Sequence, residues 1–243
     1  MKNSFISDIK RNIKIIGAGV LTSKATVILL TIMLTVGVIC EVFGMLHANA
    51  YCMTISYLLM NTVFVSAVYI QSRSKLTAVS VSQKNFYNWI VPMTVTSGMP
   101  LYIAVNIAAV LISVLTGRNT DSFIECAGIQ MLVIPAFYII HSCLNLIWFT
   151  GKKGSNTGVH TGIAYGALPV IFKDILEAFL EKKDFAELVS YPVALVINIV
   201  SAVAIFAILK GVCTLIYKKD KYAHNVPENQ DAVMIQAALE NKH

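Results

Sequence analysis

The chain has 243 residues, of which 56% are hydrophobic and only 13% charged, and it carries a formal net charge of +6. Soluble domains hold about 25% charged residues, so a water-soluble globule is excluded. The basic excess flanks apolar runs, which makes it a topology signal and argues against nucleic acid as a partner.

Taken in chain order, the first segment is amphipathic. Phe5, Ile6, Ile9, Ile13 and Ile16 recur at helical spacing with Lys10, Arg11 and Lys14 off the stripe. This pattern predicts an interfacial helix over about 4–17 on the cytoplasmic leaflet, where basic side chains meet anionic headgroups. Gly17 and Gly19 are expected to supply the bend that follows. A polar, basic start without a small-residue cleavage site is not the pattern of a cleavable signal peptide.

Apolar runs follow at about 25–46, 51–71, 89–115, 123–149 and 192–217. A spanning helix needs ~20 mostly apolar residues, and each run reaches that length. Pro92 and Pro100 in the third run and Pro135 in the fourth are expected to bend their helices. Between Lys153 and Tyr191 the pattern is weaker. An apolar stretch at about 158–172 contains Gly162, Gly166 and Pro169. After it, Ile171, Phe172, Ile175, Leu176, Phe179 and Leu180 alternate helically with Lys173, Asp174, Glu177 and Glu181. We read a broken fifth span leading into a helix at the outer interface.

Charge fixes the orientation. Lys2, Lys10, Arg11, Lys14 and Lys24, then Arg73, Lys75 and Lys84, then Lys152 and Lys153, then Lys210, Lys218, Lys219, Lys221 and Lys242 all fall on one side if there are six spans. The expected architecture is therefore one all-α, polytopic membrane domain over 1–217. It has six transmembrane helices and both termini cytoplasmic. A cytoplasmic tail occupies 218–243, with a linker at about 220–227 and either a short helix or a disordered end beyond it.

The chemistry-bearing residues are sparse. The five cysteines, Cys40, Cys52, Cys126, Cys143 and Cys213, form no C-x-x-C and no metal-ligand spacing, so packing is their ordinary role. Cys52 and Cys126 both fall near the outer face, where a disulfide is conceivable. No P-loop, H-E-x-x-H or G-x-S-x-G occurs, so no catalytic residue, resident cofactor or metal site is expected in this chain. The polar residues inside apolar runs are Glu41, Asn61, His141 and Asn145, with Glu125 at the outer end of the fourth span. An ionisable group in lipid is a functional candidate by default, and these four are the candidates for a translocation path. The plainer reading places Glu41 and Glu125 in the headgroups and gives the amides and His141 interhelical hydrogen bonds.

The loop after the second span reads Gln71-Ser72-Arg73-Ser74-Lys75-Leu76-Thr77-Ala78-Val79-Ser80-Val81-Ser82-Gln83-Lys84-Asn85-Phe86-Tyr87. Here the chain resembles the membrane subunits of bacterial type-2 ABC exporters, in particular the small permeases of peptide-export and lantibiotic-immunity systems. In that family a basic turn after span two leads into a short helix and a small-residue, basic stretch before span three. Val81, Ser82 and Lys84 stand at that stretch, with Ser80 in place of the family's frequent proline.

The resemblance implies a bacterial cytoplasmic-membrane permease that pairs with a second permease subunit, identical or not. A dimer of separate ABC ATPase subunits, which carry the ATP and Mg, would dock below. The loop would couple the two through Arg73, Lys75, Leu76, Val79, Ser82, Lys84 and Phe86. Apolar knobs at Leu76, Val79, Val81 and Phe86 would fit an ATPase groove. The implied substrate is hydrophobic or amphipathic, a peptide included. Two other classes stay open. One is an ion-gradient-driven carrier or substrate-binding membrane subunit, which would need a carboxylate such as Glu41. The other is a non-transport membrane sensor or assembly protein, which would have no ATPase partner.

Overall fold

The computed structural model describes residues 5–21, 24–65, 68, 83–117, 120–150, 157–181 and 190–222, and these are helical throughout apart from short turns. The helices are α1 (Phe5–Leu21), α2 (Lys24–Leu46), α3 (Ala50–Leu58), α4 (Gln83–Asn85), α5 (Val91–Val95), α6 (Gly98–Thr116), α7 (Thr120–Thr150), α8 (Thr157–Leu180) and α9 (Tyr191–Tyr222). Two π-helical turns, Leu59–Val63 and Phe86–Ile90, extend α3 and precede α5.

Both faces of α2 are apolar, but only one is covered. Leu30, Met33, Gly37, Glu41, Gly44 and Met45 are buried at spacings of three and four, whereas Ile28, Leu29, Ile32, Val36, Ile39 and Phe43 are exposed. A helix that is apolar all round, yet open on one side, fits lipid and not water. The hydroxyls on that open side are neutralised locally: Thr31 and Thr35 donate to Val27 and Thr31 carbonyls at 2.8 Å. Among the described residues, four segments are long and apolar enough to cross a membrane, Lys24–Leu46, Phe86–Thr116, Asp121–Ile147 and Tyr191–Lys218. The molecule is an all-helical, multi-pass membrane protein.

The α7 segment is the pillar: its apolar stretch is 61% buried, against 28% for α2 and 22% for α9. It packs on α9, α8 and α6. Around it Met45, Met53, Tyr57, Tyr102, Phe137, Tyr138 and Phe172 form the buried core. The α2–α3 hairpin is tight. Ala48 takes a left-handed conformation at φ 47°, and the Asn49 side chain caps α3 by accepting the Cys52 N–H at 3.1 Å, as N-cap asparagines do.

Several expectations are corrected. α1 stays helical through Gly17 and Gly19 to Leu21; a glycine costs a helix only ~1 kcal/mol. The third apolar run does not merely bend. It breaks at Thr96–Ser97, between α5 and α6. Pro100 has no N–H to offer the Thr96 carbonyl, which instead accepts from Met99 N–H at 3.1 Å. The π turn Phe86–Ile90 directly precedes Pro92. The fifth helix is not broken: α8 is continuous over 24 residues, about 36 Å at 1.5 Å per residue, with Pro169 inside it. Burial of Leu168, Phe172 and Leu176 on one face holds it together. α9 runs on to Tyr222, into the stretch expected to be linker. Cys52 and Cys126 are free thiols.

Candidate functional site: a buried polar cluster around Glu41

Glu41 does not sit among headgroups. It is 0% exposed, enclosed where α2, α3, α6, α7 and α9 converge. Asn106 Nδ2 donates to Glu41 Oε1 at 3.3 Å and Gln130 Nε2 donates to Oε2 at 3.3 Å. Asn106 Nδ2 also reaches Gln130 Oε1 at 3.3 Å. Gln130 Nε2 bonds the Tyr102 hydroxyl, and the Tyr191 hydroxyl donates to Asn106 Oδ1 at 3.1 Å. The Ser56 hydroxyl is fully buried and faces the same carboxylate. Among the described residues no lysine or arginine is buried, so every group facing Glu41 is neutral.

The helices place these groups by register. Glu41 occupies the buried stripe of α2, four residues after Gly37 and three before Gly44. Those glycines let α3 approach: a Cβ on Gly44 would lie 2.9 Å from Met53 N, and one on Gly37 would meet the Met60 side chain. Tyr102 and Asn106 are one turn apart on the buried face of α6.

A second group lies beside the first. The Tyr57 hydroxyl and His141 Nδ1 share a hydrogen bond of 2.9 Å. Tyr57 also meets Tyr102 edge-on at 5.7 Å and Phe172 at 4.8 Å between ring centroids. Asn61 Nδ2 donates to the Tyr57 carbonyl at 3.2 Å. Asn61, His141 and Asn145 are all buried. Glu41 and His141 therefore belong to neighbouring groups joined through the Tyr102–Tyr57 ring contact, and Asn61 is tied to the second by a backbone bond. The sequence reading missed Ser56, Tyr57, Tyr102, Asn106, Gln130 and Tyr191. The signal that singled out Asn61, an amide inside an apolar run, applies equally to Asn106 and Gln130.

Of the expected coupling residues, Arg73, Lys75, Leu76, Val79 and Ser82 lie outside the described residues, as does Val81. Lys84 is exposed. Phe86, expected as a projecting knob, is instead partly buried against the core and edge-on to Tyr87 at 5.5 Å. This end of the molecule is a joint. Arg11 donates to Asn85 Oδ1 at 3.1 Å and Asn85 Nδ2 donates to Asn12 Oδ1 at 2.8 Å. Arg11 also pairs with Asp8 at 3.2 Å. On the other side, Lys210 lies 3.5 Å over the Trp89 ring, and Thr214 Oγ1 donates to Asn88 Oδ1 at 3.0 Å. The segment 85–89 thus ties α1 to α9.

The opposite end has its own tie. Lys173 pairs with Glu177 at 2.7 Å and with Asp174 at 3.3 Å, and stands 4.6 Å over the Tyr51 ring. Between the two ends, an apolar groove of about 840 Å³ opens among α1, α6 and α9. Its lining includes Ile9, Ile13, Ile16, Ile103 and Val203. The Thr96 and Ser97 hydroxyls in it are spent on Pro92 and Thr94 carbonyls at 2.9 and 2.7 Å, so the groove offers little but hydrocarbon contact.

Comparison with protein-family models, with curated proteins and with solved structures returned no match. The site is therefore read from its own chemistry.

Proposed function

We propose that the protein is the membrane permease subunit of an ATP-driven exporter of a hydrophobic or amphipathic substrate, with ATP hydrolysed by a separate subunit dimer. The observation that carries this reading is the joint at 85–89. Whatever moves the loop ahead of it is transmitted at once to α1 through Asn85 and to α9 through Trp89 and Asn88. A mechanical input at the loop would thereby reach two of the helices that line the apolar groove. The resemblance of 71–87 to type-2 exporter permeases supports the same assignment, as does the exposed, basic Lys84.

Six spans with both ends cytoplasmic complete the proposal, with α1 lying in the inner leaflet of a bacterial cytoplasmic membrane. The partition of contacts supports this topology. Arg11, Lys84 and Lys210 gather at the joint, and Tyr51 meets Lys173 at the other end. In this proposal α8 is the fifth crossing, alongside the α2–α3 hairpin that it contacts.

The test is co-purification. An affinity-tagged chain should retain a P-loop ATPase, and Lys84→Glu should reduce substrate-stimulated hydrolysis several-fold while membrane insertion is unchanged. Normal ATP-driven transport after scrambling 71–84 would remove the coupling role. A second reading, an ion-gradient-driven carrier, is favoured by one specific observation, the full burial of Glu41. Substrate movement by this chain alone in vesicles, driven by a pH or sodium gradient and abolished by Glu41→Gln, would replace the exporter reading with the carrier.

A further inference from the structure

We propose that the groove among α1, α6 and α9 holds one acyl chain of an anionic phospholipid, whose phosphate headgroup lies against Lys10 and Lys14 of α1. The lipid would bind whether the chain exports, carries or senses, and its test reads binding and not transport.

Space and wall chemistry come first. The groove measures about 840 Å³, inside the range of about 300–1,000 Å³ typical of small-molecule sites. Ile13, Ile16, Ile103, Val203 and Phe206 are among its walls. Its two hydroxyls, Thr96 and Ser97, already donate to backbone carbonyls. The walls therefore suit a run of methylenes and offer little to orient a polar group.

α1 leaves this space unfilled. It packs on α2 and on the 86–90 turn, and its stripe of Ile9, Ile13 and Ile16 is left to face the groove. Ile13 is 55% exposed. Apolar surface of that kind is costly against water. For an amphipathic helix at the edge of a bilayer, the material at hand to cover it is a lipid chain.

Charge then selects the headgroup. Lys10 follows Ile9 and Lys14 follows Ile13, so each stands next in the chain to a groove-lining residue. Both are exposed, and neither enters an ion pair among the described residues. Arg11, by contrast, is engaged by Asp8 and Asn85. On α9, Lys210 comes one turn after Phe206 of the groove wall and lies over the Trp89 ring. Hydrocarbon walls bordered by cations match the layout of an anionic phospholipid. A second copy of this chain, with its net charge of +6, would bring cation against cation.

The experiment is native mass spectrometry of the full chain purified in detergent, offered dioleoyl phosphatidylglycerol and dioleoyl phosphatidylcholine at equal concentration. One phosphatidylglycerol should stay bound per chain, preferred over phosphatidylcholine by about tenfold, as two surface cations allow. Replacing the two exposed lysines together, Lys10→Gln with Lys14→Gln, should bring that preference close to parity. Ala104→Trp fills the groove from α6, where Ala104 is exposed, and should cut retention of both lipids several-fold. Val203→Trp, from the exposed wall of α9, repeats that test independently, and thermal melting checks that each variant is folded. Wild-type chain that retains no lipid overturns the proposal. So does retention undiminished in the folded tryptophan variants, because the lipid would then sit elsewhere. A preference for phosphatidylglycerol that survives the double lysine change overturns it as well. A dimer mass lost in the tryptophan variants would make a second copy the occupant and overturn it too.

Discussion

Gly98 is a position where one methyl group decides packing. A Cβ there would lie 2.6 Å from the Met60 carbonyl oxygen, 2.7 Å from Asn61 Oδ1 and 2.8 Å from Asn61 Cα. Backbone cannot yield as a side-chain tip can, so Gly98→Ala should cost ~1–3 kcal/mol through overpacking. At Gly37 the same methyl meets only the mobile end of Met60, and Gly37→Ala should cost clearly less. Thermal melting of the two variants side by side checks the order. Tyr57→Phe should destabilise by about 1–3 kcal/mol, because it takes the hydroxyl away from buried His141 Nδ1. For transport, Glu41→Gln keeps the shape and the hydrogen-bonding capacity of the cluster and removes its charge. ATP-driven efflux from reconstituted vesicles should persist at a substantial fraction of wild type in that variant.

Among the elements, the joint between α1 and the 85–89 segment rests on few atoms. Asn85→Ala removes both its bond from Arg11 and its bond to Asn12, a side chain that is 0% exposed. Faster amide exchange confined to α1, with α7 unchanged, is the expected result. Unaltered exchange in α1 would mean that its apolar stripe alone docks it. The helices themselves were legible because apolar length is a one-dimensional property: 25–46 was read and Lys24–Leu46 is found, and the amphipathic stripe from Phe5 marked α1. What escaped were events that depend on which backbone atom lacks a partner. Pro100 breaks its helix because Thr96 finds Met99 instead. Pro169 leaves α8 whole because Leu168, Phe172 and Leu176 are buried around it. Both prolines look alike in the sequence; packing separates their effects.

At the scale of the whole molecule, topology is the open question that one labelling experiment answers. With six spans, a cysteine placed at Lys182 in a cysteine-free background should react with an impermeant reagent from outside intact cells. Labelling only from the cytoplasmic side would require an even number of crossings before it. The candidate site was half legible for a related reason. Glu41 stood out as the one charge deep in an apolar run, and its depth was right in kind. Its partners were not found, because Ser56, Tyr102, Asn106, Gln130 and Tyr191 lie on four other segments. Convergence across so many segments is a property of tertiary packing that no local pattern contains.

The uneven apolarity of the helices also has a consequence for how the protein is made. α2, α7 and α9, with the Phe86–Thr116 segment, carry enough hydropathy to enter a bilayer as each emerges from the ribosome. α8 is not among those segments, and it packs against α7. Under the six-span proposal its partitioning depends on company: α8 must be drawn in by the preceding α7, with which it makes contact. Insertion of α7 and α8 is then pairwise. A lesion on the α7–α8 interface, such as a charge at Leu168 or Leu176, should act first on the newborn chain. It would strand α8 on the wrong side of the membrane and carry the orientation of α9 with it before any folded protein exists to be destabilised.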